Sequence, residues 1–203
     1  STLFPYTRRF RSGASAAFRQ ALKLRPGDPT LRRALQLLHS RADLVARLLA
    51  EGVALAERER ISEAEACFIK VLRQTPRSVV AQGNLGALLL RRGKVVEAAA
   101  IFDHAVQLVG ISQDSDRVRC DAATAHLLLG DFAQGWPAFE ARWRLPGYRE
   151  SLASIALPRW DGVADIAGKR RLLLAEQGDG DTIQFVRYAH LARATGAQVV
   201  LLV

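Results

Sequence analysis

A short acidic loop near the end of the chain carries the side chains best suited to chemistry. Its six residues are Glu176, Gln177, Gly178, Asp179, Gly180 and Asp181. An apolar run, residues 172–175, precedes the loop, and an amphipathic segment, residues 182–194, follows it. A carboxylate at the start of a helix is stabilised in its ionised form by the helix dipole, so it suits a hydrogen-bond acceptor or a general base.

The same loop fits poorly with a phosphate site. Gly178 and Gly180 lack the third glycine of the dinucleotide-binding fingerprint, and no lysine follows them as in a Walker loop. The carboxylates of the loop would also repel a phosphate. The loop alone therefore does not predict nucleotide binding.

Other reactive side chains are scattered along the chain. Cys67 and Cys120 stand alone in helical stretches, with no Cys-x-x-Cys motif and no histidine at ligand spacing. This isolation predicts small buried side chains in a reducing compartment. The four histidines are equally dispersed, so the sequence predicts no metal site.

The segments on either side of the loop predict a β-α-β unit. Residues 172–175 are typical of a strand buried on both faces, and residues 198–203 form a second apolar run. The helix between them is expected to turn Ile183, Val186 and Ala189 inward and to end at Gly196. Two such strands joined by a helix begin a Rossmann-like domain.

Helical hairpins are predicted upstream, and the clearest spans residues 79–112. Its defining residues are Leu85, Gly86 and Leu89 in a first helix, Gly93 and Lys94 in a turn, and Ala98, Phe102 and Ala105 in a second helix. Small residues let the helices approach, and Phe102 is expected to fill the gap between them. This pattern resembles the tetratricopeptide repeat, whose period is about 34 residues.

Further copies of the hairpin surround the central one. The upstream copy is displaced by 34 residues and is marked by Gly52, Ala64, Phe68, Val71 and Pro76. A half copy precedes it, marked by Ala14, Phe18, Ala21 and Pro26, and a looser copy follows at a displacement of 37, marked by Gly130, Asp131, Gly135, Phe139 and Arg142. A generic helical bundle has no reason to keep these offsets, so we expect a mainly α fold built as a solenoid of hairpins.

The first part of the repeat region leaves one alternative open. Residues 29–44 break the register of the repeats, and Asp28, Pro29 and Thr30 form a helix start. The segment is either a separate short helix or the front of a long helix that runs through Ala56.

Stacked repeats of this kind usually bind a protein or peptide on a concave surface lined by their first helices. Asn84 stands where many such repeats place an asparagine that bonds the backbone of an extended peptide. Its equivalents in the flanking units are Ala50 and Asp121, so a continuous asparagine ladder is absent. The alternative for Asn84 is a solvated or helix-capping role.

Three aromatic side chains end the repeat region. Trp136, Phe139 and Trp143 lie within one and two helical turns of each other, before Pro146 and Gly147 stop the helix. They predict a packing seam between the repeats and the next domain rather than a base-stacking platform, because no basic single-strand groove motif accompanies them.

A second resemblance covers the chain from Gly135 to its end. The runs GWPAFEARWRLPG, LPRWDG and AGKRRLLLAEQGDGDTIQFVRYAHLARATGAQVVLLV resemble the junction in bacterial tetratricopeptide-repeat proteins that continue into a heptosyltransferase-like glycosyltransferase domain of the GT-B type. The resemblance implies sugar transfer from a nucleotide-sugar donor, with the first Rossmann half facing the acceptor. It also implies an acceptor-side loop, comprising Glu176, Gln177, Gly178, Gly180 and Gln184.

The resemblance also singles out one catalytic candidate. Gly180-Asp181 resembles the Gly-Asp pair in which the Asp is the proposed base that deprotonates the acceptor hydroxyl. The alternative is that Asp181 only caps the following helix. Family members usually have a leucine where this chain has Asp179, so the chain departs from the family pattern at that position.

These patterns together predict the following organisation. Residues 1–12 resemble a translated sequencing adapter, or else a disordered basic tail; residues 13–145 hold the repeats, 146–168 a linker and 169–203 a truncated start of the glycosyltransferase domain. We expect an inactive fragment that binds no cofactor itself. The competing expectation is a non-enzymatic interaction module.

The distribution of charge and the length of the apolar runs limit which partners and which compartment the sequence predicts. The net charge is +9, but the basic residues are spread beside acids and form no stripe with interleaved aromatics, so no nucleic-acid partner is predicted. No apolar run approaches the roughly 20 residues of a membrane span. The cytoplasm is the expected location.

Overall fold

The computed structural model describes residues 13–109, 113–146, 148, 157–160, 162–175 and 178–202, without the side chains of residues 13–15, 113 and 114. The chain divides into two compact units, residues 1–154 and 155–203. The predicted non-native tail, residues 1–12, lies outside the described residues. The boundary at residue 154 falls within residues 146–168, whose role as a linker stays a prediction.

The first unit is helical throughout its described part. Its elements are α1 (Gly13–Leu24), α2 (Pro29–Glu57), α3 (Ile61–Gln74), α4 (Val79–Arg91), α5 (Val95–Leu108), α6 (Gln113–Leu128) and α7 (Phe132–Phe139), followed by a 3-10 turn at Glu140–Arg144. Neighbours along the chain pack as antiparallel hairpins. We call α2–α3 the first hairpin, α4–α5 the second and α6–α7 the third.

The bounds of α2 decide between the two alternatives for residues 29–44. It runs without a break from Pro29 to Glu57, so this segment is the front of a long helix. Asp28 caps the helix, because its Oδ1 accepts hydrogen bonds from the backbone N–H of Thr30 at 2.8 Å and of Leu31 at 3.2 Å. Pro29 suits the first helical position, where no N–H partner is needed. Helix α1 packs against α2.

A glycine and a phenylalanine hold each of the first two hairpins together. Phe68 and Phe102 are completely buried. A Cβ atom on Gly52 would lie 2.7 Å from Phe68 Cε1, and one on Gly86 would lie 2.6 Å from Phe102 Cε1. The rings therefore press directly on the backbone of the first helix, as predicted from the spacing of these four residues. The surrounding side chains form one hydrophobic core.

The third hairpin uses the opposite arrangement, which corrects the expectation that Phe139 repeats the role of Phe102. Phe139 is only half-buried, and Ala123 occupies the position equivalent to Gly86. The Ala123 Cβ leaves no room for a ring against the backbone of α6. Instead the glycine lies on the second helix: a Cβ on Gly135 would meet Leu127 Cδ2 at 2.6 Å.

The turns inside the hairpins share one backbone conformation. Glu59, Gly93 and Gly130 have φ values of 59°, 72° and 79° at equivalent positions. In each turn the next residue donates its backbone N–H to a carbonyl five residues earlier, at 2.9 Å, closing the end of the first helix. Glycine reaches this left-handed region without strain, whereas Glu59 does not.

The second unit is a parallel β-α-β unit in its described part. Strand β1 (Arg170–Leu174) pairs with β2 (Gln198–Leu202), with Leu172 opposite Val200. The connection contains α8 (Asp179–Phe185), a 3-10 turn (Val186–Tyr188) and α9 (Ala189–Ala194). Gly196, at φ 87°, ends the helical segment as predicted. Strand β1 begins two residues earlier than predicted, and the helix three residues earlier.

Two expectations about burial in this unit are wrong. Ile183 is 75% exposed and Val186 is 41% exposed, so neither points inward; of the three predicted residues only Ala189 is half-buried. Strand β1 is half-buried rather than buried on both faces. Both follow from the size of the sheet, because two strands cover only part of one helix face.

Candidate functional site

The first helices of the hairpins form one continuous face of the repeat array. Helix α2 contacts α4, and α4 contacts α6. Asn84 lies in the middle of α4 and is completely buried, so it is neither solvated nor a helix cap. Its role as a peptide contact stays a prediction. Ala50, the equivalent residue of α2, is exposed.

Asp121 is the Asn84 equivalent in α6 and has an unusual environment. It is 8% exposed, and its Oδ2 lies 3.7 Å from Arg117 Nε. That oxygen accepts no hydrogen bond from the part of the chain that the structure describes. Burial raises the pKa of the carboxyl to about 6, an effect that the nearby Arg117 opposes. Asp121 therefore gains or loses its proton, and with it its negative charge, in mildly acidic solution.

A second buried carboxylate, Asp116, ties the end of the third hairpin to α6. Arg144 holds its Oδ1 with two nitrogens, Nη2 at 2.7 Å and Nε at 2.8 Å, and Arg119 Nη1 lies 3.6 Å away. The pKa of Arg144 is raised by its hydrogen bond to Asp116. This network fixes the 3-10 turn that carries Arg144. No periodic pattern in the sequence predicts this network, since Asp116 and Arg144 are 28 residues apart.

The two cysteines are buried thiols, as predicted from their isolation. Burial raises the pKa of Cys120 to about 11 and also raises the pKa of Cys67. A thiol with a raised pKa is a poor nucleophile and a poor metal ligand. Among the described residues, no group of three or more His, Cys, Asp or Glu side chains could hold a metal ion.

The terminal aromatics of the first unit surround an arginine. Arg142 Cζ lies 4.6 Å from the centroid of the Phe139 ring and 4.5 Å from that of Trp143. Trp136 meets Phe139 edge to face and is about half exposed, while Trp143 meets Tyr148 in the same way. Within the first unit these rings pack on one another; the seam with the next domain stays a prediction.

The described residues of the acidic loop, 178–181, are exposed to solvent. Gly178 is the N-cap of α8, and no side chain caps this helix, so the structure does not support a capping role for Asp181. Asp181 lies in the first turn with its side chain exposed. A Cβ on Gly178 or Gly180 would meet nothing within 4 Å, which leaves room above the loop.

The remaining predicted loop residues divide into two groups. Gln184 is exposed on α8, and its carbonyl accepts a hydrogen bond from Arg187 Nε at 2.6 Å. Glu176 and Gln177 lie outside the described residues. Gly180 and Asp181 thus lie in the first turn of α8 and Gln184 near its end, all three exposed, and no described contact assigns a chemical role to any of them.

None of the helices in the described part of the chain combines the length and the apolar character needed to cross a membrane.

Comparison with known proteins supports the repeat assignment. Residues 49–115 match the family model described as tetratricopeptide repeat, a range that covers the last third of α2, all of α3 to α5 and the start of α6. The chain is also 31% identical over 118 residues to Protein FlbA of Caulobacter vibrioides. That similarity covers 58% of this chain and 20% of the relative, so the chain spans about a fifth of the length of FlbA. The central hairpins of this chain are therefore similar to tetratricopeptide repeats in both sequence and packing.

Proposed function

We propose that the chain is a protein-interaction scaffold, in which the face formed by α2, α4 and α6 binds an extended segment of a partner protein. The observation that carries the proposal is the pair of Gly-Phe hairpins within residues matched by the tetratricopeptide-repeat model. Repeats of this type usually bind proteins or peptides along their first helices. Asp121 on α6 and Asn84 on α4 are the polar residues that we expect to contact the partner's backbone. Asn84 is completely buried in the free chain, so its contact requires that its side chain turn outward when the partner binds.

A display library of random peptides provides the test. Peptides that bind the purified chain are selected, and the amide exchange of the chain is compared with and without the tightest peptide. The proposal expects slower exchange in α2, α4 and α6. Slower exchange confined to α3 and α5, or to residues 170–202, would refute it. Asn84→Ala should weaken binding more than Asn84→Ser, which keeps a polar group at that position.

We further propose that the parent of this chain is a bacterial glycosyltransferase of the GT-B type and that it acts in the cytoplasm. Support comes from the sequence resemblance of residues 135–203, from the parallel β-α-β unit and from the exposed Asp181 after β1. The unpaired thiols of Cys67 and Cys120 suit the cytoplasm. The parent would take a nucleotide-sugar donor, and its repeats would position a protein acceptor.

Asp181 is the proposed general base in that reaction. A sugar hydroxyl attacks well only as its proton leaves, and a positioned carboxylate contributes roughly 10² to 10⁴-fold to such a step. In the longer protein, Asp181→Asn should lower kcat by about that factor and leave the unfolding midpoint unchanged. Asp179→Asn is the matched control, since Asp179 lies in the same helix turn. Near-normal turnover of Asp181→Asn would remove Asp181 as the base.

A non-enzymatic interaction module is the alternative. The coding sequence beyond Val203 discriminates between the two. A second Rossmann-like domain downstream supports the transferase, whereas a stop codon soon after Val203 supports the module.

A further inference from the structure

One apolar stripe of α2 packs on the core of the repeats in the second half of the helix and continues, exposed, along the first half. Leu37, Leu44, Leu48 and Leu55 recur at spacings of seven, four and seven residues, which keeps them within about 40° of one another around the helix. Leu48 and Leu55 pack against the core of the repeats. Leu37 is 64% exposed and Leu44 is 38% exposed. The apolar stripe therefore has a covered half and an uncovered half.

Helix α1 does not cover the exposed half. The half-buried leucines in this part of α2 are Leu31, Leu35 and Leu38, and Leu38 lies about 100° around the helix from Leu37. Helix α1 is the element that contacts α2 besides α3 and α4. Leu37 and Leu44 are thus left on a separate side of the helix.

Arginines border the exposed leucines. Arg33, Arg41 and Arg47 are all exposed, lie within about 80° of Leu37 around the helix, and make no ion pair with another described residue. Arginines elsewhere in the repeats behave differently: Arg60, Arg91 and Arg92 pair with Glu63, Glu59 and Glu65, respectively. The single acidic residue between Pro29 and Arg47 is Asp43, which lies about 120° from Leu37 around the helix.

We propose that this surface, which we call the leucine-arginine face (Arg33, Leu37, Arg41, Leu44 and Arg47), binds an acidic amphipathic helix of a partner protein. The partner helix would lie along the first half of α2, extending the apolar contact that Leu48 and Leu55 make with the core of the repeats. Its apolar residues would cover Leu37 and Leu44, and its carboxylates would pair with the three arginines. This surface is separate from Asn84 and Asp121, so it adds a second binding site.

Charge and shape favour this occupant over two others. A second copy of the chain would bring arginines against arginines across a symmetric contact. A lipid surface calls for a broad apolar face rich in Trp, Phe and Leu, whereas this face carries two exposed leucines and no aromatic residue.

Binding of designed peptides to the whole chain tests the proposal. The probe is a fluorescein-labelled helical peptide of about 18 residues, long enough to span residues 30–47, with leucines three and four residues apart and flanking glutamates. A matched peptide carries lysines in place of the glutamates. Fluorescence anisotropy should show binding of the acidic peptide that weakens with added salt, and at least tenfold weaker binding of the basic peptide.

Variants of the exposed residues test each part of the surface. The double variant Arg33→Glu, Arg41→Glu should bind the acidic peptide about tenfold more weakly than the parent chain and the basic peptide more tightly. The double variant Leu37→Ser, Leu44→Ser should bind the acidic peptide more weakly at low salt and at high salt alike, because the apolar contact does not depend on salt. Arg77→Glu, at an exposed arginine outside this face, should leave binding unchanged. These side chains are exposed, so circular dichroism and the unfolding midpoint should match the parent chain.

Three results would overturn the proposal. The first is equal binding of the acidic and basic peptides, and the second is unchanged binding by the Arg33→Glu, Arg41→Glu variant. The third is binding to vesicles of phosphatidylserine and phosphatidylcholine without binding of the acidic peptide, which would assign the face to lipid.

Discussion

The contact between Gly86 and Phe102 makes a quantitative prediction about the second hairpin. Phe102 is completely buried, so Phe102→Ala should lower the free energy of unfolding by about 3 to 5 kcal/mol through lost burial and the cavity left behind. Gly86→Ala would place a Cβ 2.6 Å from Phe102 Cε1 and 2.7 Å from Cζ. This overpacking should cost about 1 to 3 kcal/mol, despite the roughly 1 kcal/mol by which alanine favours a helix over glycine.

The two substitutions should not add. Once Phe102 is alanine, the ring that clashes with the new Cβ is gone, so Gly86→Ala should become stabilising by about 1 kcal/mol. A double-mutant cycle measured by urea denaturation should therefore give a coupling free energy of about 2 to 4 kcal/mol. Gly52 and Phe68 form the equivalent pair and should couple similarly. Val96→Ala, at a 70% exposed position, should show no coupling to Gly86→Ala.

Additive effects would refute the packing. If the cycle closes within about 0.5 kcal/mol, the Phe102 ring does not rest on Gly86. If Phe102→Ala fails to fold, Phe102→Leu serves in the same cycle, because leucine removes the ring atoms that meet Gly86 while keeping most of the burial.

Two further predictions concern a turn and a buried carboxylate. Glu59 has a positive φ, which strains its backbone, and it also forms an ion pair with Arg91. Glu59→Gly should therefore stabilise the chain by about 1 kcal/mol in an Arg91→Gln background, where no ion pair is lost, and by less in the parent chain. Equal gains in both backgrounds would mean that the ion pair contributes nothing to stability. Burial raises the pKa of Asp121 to about 6 from an ordinary value near 3.8, so the folded chain binds this proton more tightly than the unfolded chain. The free energy of unfolding should therefore fall by up to about 3 kcal/mol as the pH rises from 4 through 6. Asp121→Asn should flatten that profile in denaturation experiments and raise the stability at pH 8, whereas Asp43→Asn, at an exposed residue, should leave the pH dependence of the parent chain intact.

The repeats could be predicted from the sequence where a large residue and a small one recur at fixed distances. Phe68 and Phe102 stand 16 positions after Gly52 and Gly86, and burial of both pairs follows from that spacing. The third hairpin keeps a phenylalanine at the expected place, but Ala123 replaces the glycine that would receive it. The close contact of this hairpin lies instead between Gly135 and Leu127, and periodicity does not reveal this.

The prediction of which side chains are buried in the second unit failed for a different reason. The apolar periodicity of residues 182–194 describes a helix that faces a large sheet, whereas two strands leave Ile183 and Val186 exposed. The sequence indicated the elements and their order, but how much each side chain is covered depends on how many strands are present. The ion pair between Asp116 and Arg144 could not be predicted from the sequence either, because only tertiary packing brings the turn that carries Arg144 close to α6.

Hydrogen exchange across the whole chain tests the central claim, that a stacked repeat array precedes a less stable β-α-β unit. Helices α4 and α5 have hairpins on both sides, so their amides should exchange most slowly, and those of α3 and α6 next. Amides of β1, α8, α9 and β2 should exchange much faster, because a two-stranded sheet leaves Val200, Leu201 and Leu202 exposed. Protection of residues 170–202 equal to that of Ala98 to Ala105 would contradict the account.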